Sequence, residues 1–376
     1  MPLHLAWRIL ADQKGRTALA TSGVFVAILL IFVELGFFVA VPQGGMLIYD
    51  HLRFDLLVTS NKYVFQSQSG QFPRARLATA KTIPEVAQAS PLYLGGGKWQ
   101  DPKGGLKLDI VVIGLDPRAA IFAVPDIERE APVLERADTV LVDSTTRPLF
   151  GSLRAGRVVD IAGRRMTIGG QYKLGTGFLG LGVVLASEAN FFQMFAGRPP
   201  DTVNLGLVTL KPGTDPDRAA RALRAVLPAD TQVFTRAELV AREVAYWTIR
   251  TATGLIFGSG LVVSFVVGIM VLYQTLATQI TRQLPQFATL KAIGYTNRYL
   301  NAVVLLEAVL MMVVAFVPAL GAALGIYALV RSETQLPLTL GVGQLGAVFA
   351  ITLVMATASA FLSLGALRRA DPAEIF

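Results

Sequence analysis

Cysteine is absent from the 376 residues, and histidine occurs only at His4 and His51. The first absence excludes a disulfide framework, a thiolate zinc site and a cysteine nucleophile. The second leaves no pair of imidazoles at helical spacing to hold a metal. Charge is also scarce: Asp, Glu, Lys and Arg make up 16% of the chain, against roughly 25% in soluble domains. Hydrophobic residues make up 53%. This balance excludes disorder, a coiled coil and an ordinary cytosolic enzyme, and it requires that part of the chain be dissolved in lipid.

Four apolar runs carry the excess, at residues 17–41, 251–280, 300–330 and 342–367. Each exceeds the ~20 residues that a helix rising ~1.5 Å per residue needs to cross a ~30 Å hydrocarbon core, so each is expected to be a transmembrane helix. The first run is longer than the apolar core of a signal peptide and reads as an uncleaved anchor. Basic residues flank the helices unevenly. Arg8, Lys14 and Arg16 precede the first, Arg282, Lys291 and Arg298 follow the second, and Arg368 and Arg369 follow the fourth. The short loop at 331–341 offers only Arg331 beside Glu333. The head (1–16), the loop at 281–299 and the tail (368–376) are therefore expected in the cytoplasm, with 42–250 on the far side of a bacterial inner membrane.

The segment 42–250 holds 25 basic and 20 acidic side chains, a net charge of about +5. Nucleic acid is not the expected partner, because the segment has no basic helix or aromatic-basic platform and lies outside the cytoplasm; anionic lipid remains compatible with it. Strand, helix and strand are read at 54–60, 73–81 and 89–94. The same order returns at 203–210, 216–227, where Asp215 caps and Pro216 opens the helix, and 231–234. Strand-like runs at 108–114, 139–142, 157–161 and 165–168 mark a β-rich insertion within about 108–200. The fold class is therefore an α-helical membrane protein with four transmembrane helices plus an α+β extracytoplasmic domain, in which two β-α-β units bracket the insertion. From 236 to 250, Leu239, Val240, Val244 and Trp247 recur at helical spacing without Gly or Pro, which predicts a stalk helix continuous with the second membrane helix.

Two glycine motifs are set aside. Gly95-Gly96-Gly97-Lys98 is followed by Trp99 and lacks P-loop spacing, so this chain holds no nucleotide by that device and ATP-driven work needs another subunit. Gly175-Thr176-Gly177-Phe178-Leu179-Gly180 matches the dinucleotide fingerprint in letters, but no helix of useful length follows it before Ser187, and a flexible or tightly turning glycine loop is expected. Within the membrane runs, Gly254, Gly258, Gly260, Ser264 and Gly268, then Gly321 and Gly325, form small-residue faces that let helices approach closely, within the chain or between two copies. Glu34 and Glu307 are the acids inside apolar spans; each needs a partner or a place near the interface, and their role is left open.

The loop after the second helix is the most informative stretch: Leu284, Pro285, Gln286, Phe287, Ala288, Thr289, Leu290, Lys291, Ala292, Ile293 and Gly294. Pro285 suits a helix start, Leu284, Phe287, Leu290 and Ile293 recur every three residues, and Gly294 suits a helix stop. A short amphipathic helix on the cytoplasmic membrane face is predicted. It either rests on lipid or fits a groove of a peripheral ATPase with Phe287 as anchor.

With this topology, the segment 288–294 (Ala-Thr-Leu-Lys-Ala-Ile-Gly) and the ending 367–376 (Leu-Arg-Arg-Ala-Asp-Pro-Ala-Glu-Ile-Phe), the chain resembles the FtsX/MacB-type ABC transporter permeases. Within them it is most similar to the DevC family, through the Leu-Pro-x-x-Ala-Thr-Leu-Lys-Ala form from Leu284. The family pattern usually carries a glutamate where this sequence has Gln286, which removes a charge available for a salt bridge to the ATPase. The resemblance implies a non-catalytic permease homodimer that binds no cofactor itself, with ATP and magnesium held in a separate cytoplasmic ABC ATPase. It also implies a HlyD/DevB-type membrane fusion protein and a TolC-like outer-membrane channel as partners. In such relatives ATP-driven helix movement works the outer domain, a mechanism called mechanotransmission. A regulator of an extracytoplasmic hydrolase, a lipid- or lipoprotein-extracting permease and an ion-coupled transporter using Glu34 and Glu307 are the alternatives, and the cargo is not named by the sequence.

Overall fold

A computed structural model describes residues 14–177, 180–334 and 336–368. The head before residue 14, the tail 369–376, and Phe178 and Leu179 of the glycine loop lie outside the described residues. Four long helices carry the apolar runs: α1 (Lys14–His51), α7 (Ala252–Ala292), α8 (Asn297–Thr334) and α9 (Val342–Arg368). Between α1 and α7 lie α2 (Ala75–Ala80), α3 (Pro125–Glu130), α4 (Glu188–Met194), α5 (Pro216–Val226) and α6 (Arg236–Ala245). The strands are β1 (Leu56–Ser60), β2 (Phe72–Pro73), β3 (Val86–Gln100), β4 (Leu108–Leu115), β5 (Thr139–Asp143), β6 (Val158–Ile161), β7 (Arg164–Tyr172), β8 (Val183–Ser187), β9 (Thr202–Val203), β10 (Leu205–Leu210) and β11 (Thr231–Thr235). Two compact units result: one gathers the membrane helices, the other comprises Pro42–Ile249, and the division falls inside α1.

Among the described residues four helices are long and apolar enough to cross a membrane: Thr21–His51, Ala252–Ala292, Asn297–Ser332 and Val342–Leu364. At ~1.5 Å per residue, the 38 residues of α1 and the 41 of α7 reach ~57 and ~62 Å, well past a ~30 Å core. In this unit α9 packs against both α7 and α8. Phe32, Leu272, Val304, Met311 and Met355 share the core. The Tyr327 hydroxyl donates to the Phe32 carbonyl, and Ser359 donates to the Ile269 carbonyl on α7 at 3.0 Å. Gly36 is the position where Tyr327 crosses α1, since an added Cβ would overlap the phenol ring.

In the unit of residues 42–249, the strands of the two β-α-β units interleave. β1 lies between β10 and β11, and β10 pairs with β3, all antiparallel, in the order β11-β1-β10-β3. This is the split β-α-β arrangement. The insertion does not form a separate sheet: β3 is 15 residues long, about two and a half times the stretch at 89–94 read from the sequence, and its second half continues into the insertion. The strands β3-β4-β8-β5-β7-β6 follow one another, and β6 returns to β3 through Trp99↔Ile161 and Gln100↔Asp160, closing a barrel. One face of each strand feeds a shared core with Trp99, Val112, Val142, Val159, Ile168 and Ala186. β5 and β8 are buried on both faces, so their continuous apolar runs follow the rule for covered strands.

Gly95-Gly96-Gly97 sits in the middle of β3, in no phosphate loop. A Cβ at Gly95 would lie 2.6 Å from Phe195, and one at Gly114 on β4 2.6 Å from Phe191, so these glycines let two strands pass under an aromatic cluster. The outer edge of the sheet is β11. There Arg224 Nη2 donates to the Val233 carbonyl at 2.7 Å and pairs with Glu238. Glu238 in turn accepts from Thr235 N–H at 2.9 Å as part of a capping box that starts α6.

The described part of the glycine loop before β8 turns at its glycines. Gly175 and Gly177 have φ of +109° and +52°, a region that favours glycine. Asp143, fully buried, holds the loop. Its Oδ2 accepts from Gly175 N–H at 2.8 Å and Leu174 N–H at 3.3 Å, and its Oδ1 from the N–H and hydroxyl of Thr145 at 2.8 and 2.7 Å.

The stalk differs from expectation. A π-helical turn, Tyr246–Arg250, follows α6, and at Thr251 the backbone is extended. Thr251 Oγ1 accepts from Gly254 N–H at 3.1 Å, which gives α7 its own N-cap. The helix is therefore interrupted: the Thr251 hydroxyl satisfies an orphan donor that continued helix would have bonded through its backbone. The buried stripe of α6 also differs. Leu239 and Glu243 are the residues turned inward, whereas Val240 and Val244 are 38% and 39% exposed.

Candidate functional site

The stretch from Leu284 to Gly294 does not form a separate helix. It is the last three turns of α7, with Pro285 inside the helix rather than at its start. Proline removes one N–H from the ladder, and local hydroxyl bonds flank it: Thr281 Oγ1 donates to the Ala277 carbonyl at 2.8 Å and Thr289 Oγ1 to that of Pro285 at 2.9 Å. Lys291 lies in the last turn, where positive charge complements the helix dipole.

The expected glycine stop is present with full geometry. Gly294 has φ +106°, its N–H donates to the Lys291 carbonyl at 3.0 Å, and Tyr295 N–H donates to that of Leu290 at 3.0 Å. These two bonds define a Schellman cap. Thr296 then starts α8, its hydroxyl accepting from Tyr299 N–H at 3.4 Å, and the rings of Tyr295 and Tyr299 lie 4.7 Å apart. Residues 293–296 thus form a knuckle fixed at both ends by hydrogen bonds. Ile293 is 70% exposed and Tyr295 44%, so the apolar side chains of the turn point away from the bundle.

Phe287 is not on that outer surface. It is 3% exposed and belongs to the core shared with Leu276, Ile280 and Leu300; Ala288 is buried too, and Leu284 and Leu290 pack partly against the same core. Gln286, Pro285 and Thr289 face outward. The ring expected as the anchor for a partner instead locks the end of α7 into its own bundle, and the outward apolar residues are Ile293 and Tyr295.

The small-residue face of α7 is used within the chain. A Cβ on Gly258 would lie 3.3 Å from Phe38, one on Gly260 2.5 Å from the Glu34 carboxylate, and one on Gly268 3.2 Å from Ala27 while overlapping the Met355 sulfur; Ser264 is buried. Gly254 serves the N-cap just described. Gly321 and Gly325 on α8 face open space. Gly268→Leu is therefore expected to push α9 off α7 and destabilise the bundle by ~1–3 kcal/mol, whereas Gly321→Leu leaves the same thermal unfolding in detergent unchanged. Glu34 and Glu307 are not brought together as a relay: Glu34 lies over Gly260, and Glu307 is fully buried with neither oxygen hydrogen-bonded.

No group of three or more His, Cys, Asp or Glu side chains that could hold a metal occurs among the described residues. Residues 258–372 match the FtsX-like permease C-terminal family, and residues 17–226 match the MacB-like periplasmic core domain family. No curated protein matches the chain. Among solved structures, the periplasmic region of MacB from Actinobacillus actinomycetemcomitans is 13% identical with a TM-score of 0.37, covering 54% of this chain and 96% of its own. The extracellular domain of the ABC-type transporter YknZ from Gram-positive bacteria is 13% identical with a TM-score of 0.34, covering 48% and 99%. The MacB-like match alone takes in more than half of the chain and continues, with the FtsX-like match, through its membrane helices. This chain, a multi-pass membrane protein with a periplasmic domain, belongs to the MacB/FtsX-like ABC transporter permeases, a family that works with an ABC ATPase.

Proposed function

We propose that the chain is the non-catalytic membrane subunit of an exporter of the mechanotransmission type. A separate ATPase holding ATP and magnesium docks on the 293–296 knuckle, and its hydrolysis displaces α7 and α8, so that the periplasmic domain drives cargo through a HlyD/DevB-type fusion protein and a TolC-like channel. The observation that carries this reading is the exposed knuckle at the end of one uninterrupted 41-residue helix. Its two hydrogen-bonded caps make it stiff, and a stiff turn passes an applied displacement into the helix instead of absorbing it. Arg282, Lys291 and Arg298 around the knuckle support a cytoplasmic position, hence cytoplasmic termini in an inner membrane. The aliphatic bundle, with its two acids apart, supports movement of cargo outside the helices rather than an ion pathway between them. Two copies per assembly, with the outward Gly321 and Gly325 free to meet a second chain, complete the arrangement. The Leu284–Ala292 form supports a DevC-type system.

The test is recovery of partners on the tagged full chain from native membranes, identified by mass spectrometry. Wild type is expected to bring down an ATPase and a fusion protein. Ile293→Asp is expected to cut ATPase recovery about tenfold, equivalent to ~1.4 kcal/mol, with the fusion protein still bound. Undiminished ATPase recovery on that variant removes the knuckle from the proposal. A hydrolase in place of the fusion protein turns the reading to a regulator.

A further inference from the structure

Glu243 is the one carboxylate of α6 that is fully buried, and nothing in the transport reading uses it. Three parts of the periplasmic domain meet at this side chain. The Tyr63 hydroxyl, from the turn after β1, donates to Glu243 Oε1. Its only proton is thereby committed, so the Tyr49 hydroxyl at the end of α1, 2.7 Å from it, donates to Tyr63. Both rings are buried, at 0% and 2% exposure. The Trp247 indole is directed at the carboxylate from the π-turn. Arg242 is the nearest cation, but its Nη2 donates to the Tyr63 carbonyl at 2.6 Å and its guanidinium lies over the rings of Tyr63 and Phe234, at 5.5 and 5.2 Å from their centroids. Glu243 forms no ion pair, and its Oε2 accepts no well-formed hydrogen bond. The groups that face it are thus Tyr49 from α1, Tyr63 from the turn, Arg242 from its own helix, the neutral Trp247, and the uncharged Phe234 from β11.

We infer that Glu243, Tyr63 and Tyr49 form a proton-operated latch that holds α6 against the body of the periplasmic domain. In the closed latch one proton from solvent is bonded to Glu243, at the oxygen left over by Tyr63, and on opening it returns to solvent; no other bond is made or broken. Burial pushes the Glu243 carboxyl up from 4.5 to about 7, against the opposing effects of the Tyr63 hydroxyl, the Trp247 indole N–H and the Arg242 charge. Burial likewise keeps the Tyr63 hydroxyl protonated as a donor. The sign follows from linkage. The closed state holds the proton more firmly than a water-exposed carboxylate does, so closure is most favourable below pH 4.5, weakens from there to about 7, and is weakest above. Across that window the opening constant rises roughly tenfold per pH unit, the slope for one proton. The domain faces the compartment whose acidity varies with the surroundings, so the latch would let external pH set how tightly α6 is held. This inference does not depend on what the chain transports.

The test uses the full chain in lipid nanodiscs between pH 5 and 9. Tryptophan fluorescence and hydrogen exchange of the amides of residues 236–245, corrected for the intrinsic pH dependence of exchange, are read together. Wild type is expected to show one transition with exchange rising on the alkaline side. Glu243→Gln, which stays neutral, is expected to abolish the transition and keep α6 protected throughout. Tyr63→Phe removes the donor that favours the anion and is expected to move the midpoint to higher pH. A transition unchanged in Glu243→Gln, or a midpoint unmoved in Tyr63→Phe, overturns the latch. The second variant decides the matter alone if the first fails to fold.

Discussion

Phe287→Ala is expected to destabilise the membrane bundle by about 3–5 kcal/mol, the range for removing a buried ring and leaving a cavity. It should be read as a lower midpoint of thermal unfolding in detergent. An anchor role for Phe287 would instead predict a folded permease with a weakened hold on its ATPase. The ring is 3% exposed and surrounded by Leu276, Ile280 and Leu300, so what is lost is packing between the end of α7 and its own bundle. Part of the cost survives in lipid, because bilayer tails replace bulk hydrophobic transfer but not the shape-matched contacts. Ile293→Asp is the counterpart: it touches only exposed surface and is expected to melt with wild type. Wild-type melting of Phe287→Ala would place the ring outside the core and return the anchor role to it.

Asp143→Ala is expected to be comparably severe, at least about 3 kcal/mol, since hydrogen bonds to a charged acceptor contribute roughly 1.5–3 kcal/mol each. Four donors lose their acceptor at once, two of them backbone N–H groups of the glycine loop. The loop should come free first. Lys173, exposed at its entrance, should then be cut by trypsin much faster than in wild type while the bundle remains intact. Asp143→Asn keeps one acceptor oxygen and should fall between. Equal cleavage rates in wild type and Asp143→Ala would show that the loop is held by its own glycines.

Much of this was legible in the sequence. The four apolar runs, the helix over 216–226 with its Asp215 cap, and the glycine stop at 294 rest on length, capping chemistry and φ preference, which are local. What failed depended on the far partner. β8 was missed because a strand buried on both faces has no alternation to reveal it. The full length of β3 was missed because three glycines read as a loop until Phe191 and Phe195 are known to lie across two strands. The coupling stretch shows the limit of periodicity. A repeat of three turns back ~60° at each step on a helix of ~3.6 residues per turn, so Leu284 and Ile293 lie on opposite sides. The four residues could not share one face, and the split between buried Phe287 and exposed Ile293 follows from that rotation. Glu243 was overlooked because Val240 and Val244 looked like the inner stripe, whereas a carboxyl four residues after Leu239 was the clue.

The barrel closes on itself, and at the other end of the same sheet, on β11, the Val233 carbonyl is occupied by Arg224. Open strand edges recruit further strands. A domain tethered in the plane of a membrane meets its neighbours at high local concentration, where such recruitment would be fast and hard to reverse. A closed barrel and a β11 edge partly taken up by Arg224 leave this domain less backbone to offer a neighbour, so crowding beside its copies is less prone to end in strand-to-strand zipping.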